Sequence, residues 1–153
     1  MEIPSIEDFI VHQQCPVVDG IVFPNSKIQC LTVSVTWNPS PSFKFELCEN
    51  SSISELAEKG ELEWSDCSIL TRKTYEKEYL TILGGEGVWG SDGFVACIDS
   101  RSQKTIWIAY FTVSNPFSEV AFENGFVLAK STLEIWFEFP FHSPHLVRTI
   151  ERQ

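Results

Sequence analysis

The chain has 153 residues, 43% of them hydrophobic, with twelve Phe and five Trp: enough for one domain with a core of its own. A formal net charge of −10 and a pI near 4.7 exclude a protein that holds nucleic acid by its phosphates, and no stretch approaches the ~18 apolar residues of a membrane-spanning helix. Met1 to Asp8 is acidic and lacks the features of a secretory signal, while Cys15, Cys30, Cys48, Cys67 and Cys97 are irregularly spaced with no C-x-x-C pair; reduced thiols in a cytoplasmic protein are therefore expected, not a disulfide framework or a zinc site.

In chain order, Ile6 to Gln13 is the weaker of two helix candidates, with Ile6, Phe9 and Ile10 on one face. Leu31, Val33, Val35 and Trp37 alternate with Thr32, Ser34 and Thr36, the period of a strand with one face buried. After the turn Asn38-Pro39-Ser40-Pro41-Ser42 the pattern repeats in Phe43-Lys44-Phe45-Glu46-Leu47, so the two runs are expected to pair as a hairpin. Residues 52–60 form the better helix candidate: Ser52 and Glu55 have capping-box spacing, and Gly60 suits the C-terminal end.

Gly85-Glu86-Gly87-Val88-Trp89-Gly90 spells G-x-G-x-x-G, and residues 84–94 hold five of the eight glycines. A phosphate-binding loop needs a helix N-terminus behind it, whereas Phe94-Val95-Ala96-Cys97-Ile98 reads as a strand, and Glu86 puts negative charge where phosphate would sit. The loop is thus expected to join a strand around Tyr79–Leu83 to one beginning at Phe94, its glycines serving positive φ or close approach to another surface. Trp89 is expected in the core, as most Trp are, with presentation to a partner as the alternative.

Thr105 to Phe111 is a nearly unbroken apolar run, expected of a central strand covered on both faces. Asn124-Gly125, between Val120-Ala121-Phe122 and Phe126-Val127-Leu128-Ala129, calls for a type I′ hairpin. Leu133 to Phe139 alternates again and ends at Pro140, with Trp107, Ile135 and Phe137 expected in the core. No repeat or linker divides the chain, so the expectation is a single domain over 1–153, α+β and β-rich, an antiparallel meander sheet with one or two short helices.

No residues line up for catalysis. The histidines are His12, His142 and His145; the last two sit in a Pro-containing segment without helical register or a third metal ligand, and Cys97 is mid-strand with no base assigned to it. Neither metal nor cofactor is called for. The charge distribution says more: Glu46, Glu49, Glu55, Glu58, Glu61, Glu63 and Asp66 face a single base, Lys59, in that stretch, and Glu2, Glu7, Asp8 and Asp19 add to them. Such a surface keeps a protein soluble, or it attracts a basic partner, with Trp64 amid the charges as an aromatic anchor or as ordinary core.

The runs GGEGVWGSDGFVACID, WIAYFTVSNPF and FENGFVLAKSTLEIWFEFP, over about residues 84–140, resemble the small acidic immunity proteins of bacterial polymorphic-toxin and contact-dependent growth inhibition systems. The resemblance implies a non-enzymatic cytoplasmic protein that binds and neutralises one cognate toxin domain. A basic nuclease fits the acidic charge, with neither nucleic acid nor membrane as partner. The partner-binding residues expected are Glu55, Glu58, Glu61, Glu63, Trp64, Asp66, Glu86, Trp89 and Asp92. Two alternatives stay open: a small hydrolase or ligand-binding domain with a pocket near residues 84–94 and His142 or His145, and a structural or regulatory subunit that pairs through a sheet edge.

Overall fold

The structure, a computed structural model, describes residues 6–152; Glu2, and the side chains of Asp8 and Ile10, lie outside the described residues. Two short helices are present among them, α1 (Glu7–His12) and α2 (Ile53–Glu58). Strands dominate: β1 (Gln14–Pro16), β2 (Gly20–Val22), β3 (Lys27–Thr36), β4 (Ser42–Ser52), β5 (Trp64–Asp66), β6 (Ser68–Tyr75) and β7 (Leu80–Glu86) are followed by β8 (Gly93–Asp99), β9 (Thr105–Phe111), β10 (Phe117–Glu123), β11 (Phe126–Ser131), β12 (Trp136–Pro140) and β13 (Arg148–Ile150). Every pairing is antiparallel.

A seven-stranded sheet runs in the order β4-β3-β2-β9-β8-β7-β6, a four-stranded sheet in the order β10-β11-β12-β13, and β1 pairs with β5. The large sheet is two meanders joined by β2 against β9, where Gly20 stands opposite Tyr110. Alternation sorts its side chains into two cores. One face sends Ile21, Leu31, Ile82, Val95, Trp107 and Phe111 against Phe117, Val127, Phe137 and Phe139 of the small sheet. The other sends Val22, Ile28, Phe94, Ile108 and Tyr110 against Ile6, which precedes α1, Phe9 of α1, Cys15 of β1 and Ile53 of α2. The result is three layers with β7, β8 and β9 covered on both sides, as the apolar run of β9 predicts.

Phe137 is the hub of the inner core, its ring 5.0 Å from Phe43 and from Phe117 and 5.7 Å from Phe45 and Phe111. Burial of each such side chain stabilises by about 1.5–3 kcal/mol, before the roughly 1 kcal/mol of a favourable ring pair. Trp107 is buried with its ring 5.5 Å from that of Phe139, and its indole N–H donates to the Phe141 carbonyl at 3.0 Å.

Local signals of the sequence are met. Ser52 Oγ accepts from Glu55 N at 3.1 Å, capping α2, and Gly60 follows at φ 69°. Asn124 and Gly125 take φ 51° and 83°, the pair of positive values that a type I′ turn demands. Two strands are shorter than their alternation predicts. β3 ends at Thr36, so Trp37 lies past it, 59% exposed and not on the buried face. Residues 132–135 form a turn, with Glu134 at φ 65° and its N–H bonded to the Ser131 carbonyl, so β12 begins only at Trp136 and Ile135 is half-buried at its edge.

Candidate partner-binding surface

The glycine-rich segment is a strand-to-strand connection, β7 to β8, with no helix behind it, so it offers no dipole to a phosphate. Its glycines serve mostly close approach. A Cβ on Gly85 would lie 2.0 Å from the Ser68 carbonyl oxygen, one on Gly93 2.3 Å from that of Asn115, and one on Gly87 2.2 Å from Asp92 Oδ2. Only Gly90, at φ +81° with open space around it, is there for its backbone conformation.

The loop is tied down along its length. Val88 N–H donates to Ser65 Oγ of β5 at 3.3 Å, Ser91 Oγ donates to the Thr112 carbonyl at 3.1 Å, and the Ser91 carbonyl accepts from Asn115 N at 2.7 Å. Asp92 folds back under the loop, fully buried, where it accepts a hydrogen bond from the Tyr110 hydroxyl. Between these ties Val88 and Trp89 stand 64% and 63% exposed. Trp89 is therefore not a core residue: the space beneath the loop is filled by Phe94, packed edge-on to Phe9 at 5.2 Å, and by Tyr110.

The chemistry below the loop is sealed. Burial pushes the Tyr110 hydroxyl well above its ordinary range, helped by the hydrogen bond to Asp92 and by its charge. Burial also raises the Cys15 thiol, reinforced by Cys67 within hydrogen-bond reach and by Asp92. Cys97, on the other face of the sheet, is raised by burial alone. Protonated interior thiols are poor nucleophiles, so none of these groups offers attack on a substrate.

The acidic stretch does not form one patch. Glu55 and Glu58 are exposed on α2, which packs beside β4; Glu55 pairs with Lys59 at 3.6 Å and accepts from Ser51 Oγ at 3.3 Å. The chain then crosses the outer face, carrying exposed Glu61 and Glu63, to β5. Five strand intervals separate β4 from β7, about 24 Å at the usual ~4.8 Å spacing. Asp66 and Glu86 belong to the far end, with the Trp89 loop: Ser65 holds Val88, and Glu86 stands opposite Ser68 in the β6–β7 register.

Two expected contact residues turn inward. Asp92 is buried as the anchor of the loop and presents nothing to a partner. Trp64 is half-buried against the outer core, with its indole N–H enclosed and unpartnered among the described residues. The sequence reading missed Val88, and also Ile69 and Leu70, exposed at 39% and 48% where a bulge kinks β6 beside Gly84 and Gly85. The signal for Val88 was its place beside Trp89 between two loop glycines.

Two cavities lie away from the loop. A groove of about 490 Å³ lies between residues 40–42 and β12–β13, and a cleft of about 170 Å³ is lined by Phe23, Lys27, Gln29, Asn50 and His145. His142 packs edge-on against Phe141 at 4.9 Å. Among the described residues no group of three or more His, Cys, Asp or Glu is placed to hold a metal ion, and no helix is long and apolar enough to cross a membrane. No protein-family model matches the chain, and no curated protein or solved structure matches it.

Proposed function

We propose that this protein is a non-enzymatic neutralising partner of the immunity-protein kind, which captures a basic toxin domain at the corner formed by Val88, Trp89, Asp66 and Glu86. The observation that carries this reading is a Val–Trp pair more than 60% exposed on a loop fixed at both ends. Large exposed apolar side chains among polar neighbours mark interaction sites, and a Trp that needs no ordering on binding is a strong anchor. Asp66 and Glu86 beside it, on a chain of net charge −10, supply the complement to a basic surface.

The test is neutralisation. A candidate toxin domain, taken from a secreted-toxin gene neighbouring this protein's own, is expressed in a host alone, with this protein, and with its Val88→Ser/Trp89→Ala variant. Wild type is expected to restore growth and bind the purified domain. The variant, unchanged in thermal midpoint, is expected to lose about 2 kcal/mol or more of binding, at least thirtyfold. Absence of protection by wild type, or full affinity in the variant, counts against the reading.

A further inference from the structure

Irregular in sequence, four of the five cysteines are brought together two by two by the fold. Cys15 and Cys67 meet under the glycine loop, 0% and 6% exposed and closed to reagents. The other pair lies in the open, on the ladder of β3 and β4. There Gln29 stands opposite Asn50 and Leu31 opposite Leu47, so between these rungs a single residue of β3, Cys30, faces two of β4, Cys48 and Glu49.

The side chains share a face. Cys30 and Thr32 lie two apart on β3, and Cys48 Sγ is 2.8 Å from Thr32 Oγ1. In such a bulge both residues of the longer strand lie across from the single one, which sets Cys30 against Cys48 at the reach of a neighbouring strand, where a disulfide closes over Cα separations of roughly 4.4–6.8 Å. Cys48 is exposed, and Cys30 is half-buried against the outer core. The exposed thiol is the one a reagent in solution meets first, which assigns first attack to Cys48, and burial, then Cys48 and Glu55, raise the Cys30 thiol.

We propose that Cys30 and Cys48 form an oxidisable dithiol, a site of reversible modification by low-molecular-weight disulfides of the glutathione type. The Cys48 thiolate attacks one sulfur of glutathione disulfide; the S–S bond breaks, a Cys48–glutathione bond forms, and the first glutathione leaves as thiolate and takes up a proton. Cys30 gives its proton to solvent and attacks Cys48 Sγ, expelling the second glutathione, which is protonated in turn. Two protein thiols are oxidised to one disulfide, and one glutathione disulfide is reduced to two thiols. The bond locks β3 to β4 at the edge of the large sheet.

The test uses the full-length native protein, incubated with excess oxidised glutathione, then denatured, alkylated and mapped by mass spectrometry. Expected are a linked Cys30–Cys48 peptide and alkylated Cys15, Cys67 and Cys97. Cys30→Ser should stop at a glutathione adduct on Cys48, and Cys48→Ser should take up no glutathione. Cys30→Ala repeats the trap if the serine variant melts early. Five alkylated thiols in oxidised wild type, or a crosslink between any other pair, overturns the proposal.

Discussion

Asp92 is held without solvent under the glycine loop, one carboxylate oxygen accepting from Tyr110 and the other unpartnered among the described residues. In the sequence it reads as one more acid in a polar loop, because nothing in Ser91-Asp92-Gly93 reveals that Gly87 leaves room for a carboxylate beneath. Tyr110 carries the linkage. Its hydroxyl is raised above the ordinary value of 10.0, first by burial, so below pH ~10 both folded and unfolded chains keep the proton. Above that pH the unfolded chain loses the proton while the folded one retains it, and stability falls with a slope of up to about 1.4 kcal/mol per pH unit. Tyr110→Phe leaves a buried carboxylate without its donor and should cost about 1–3 kcal/mol at neutral pH. It should also make the alkaline decline shallower by that one proton. Urea unfolding from pH 8 to 11 measures both, and an unchanged alkaline slope would show that Tyr110 does not carry the linkage.

Elements whose signal is local were legible: the alternation of β3 and β4, the Ser52 cap of α2 and the Asn124-Gly125 turn each lie within a few residues. β6 was not, because it is exposed along most of its length and so shows no alternation, and three-residue β1, β2 and β5 are too short for a period. The join of β2 to β9 spans residues far apart in the chain and has no local mark. Glycines in 84–94 were readable as close-approach positions but not which served that end, and the structure makes the difference measurable. Gly90→Ala meets nothing within 4 Å and bears only the positive φ, a cost of about 1 kcal/mol. Gly85→Ala drives a methyl onto the Ser68 carbonyl and the Phe94 ring, backbone and core that have little freedom to yield, at about 3 kcal/mol or more. Denaturant melts that rank the two equally would refute this account of the β6–β7 contact.

At the scale of the molecule, sequence adjacency misleads about the charged surface. The acids from Glu46 to Asp66 run from one edge of the seven-stranded sheet across its outer face to the other, so Glu58 and Asp66, eight positions apart in the chain, belong to different ends. That separation turns the docking proposal into a comparison of two variants with the same net charge. Glu55→Lys/Glu58→Lys alters α2, and Asp66→Lys/Glu86→Lys alters the Trp89 corner, about 24 Å away by strand spacing. At low salt the field of the whole protein steers a basic partner, so both variants should associate more slowly than wild type. At ~0.15 M salt the Debye length is about 8 Å, and charges three such lengths from the contact no longer matter. Stopped-flow association with the toxin domain should then find the α2 variant near the wild-type rate and the corner variant slower severalfold, with Trp89→Ala acting mainly on dissociation. If the α2 variant is instead the one that stays slow at that salt, the partner docks beside β4, and the exposure of Trp89 serves something other than this capture.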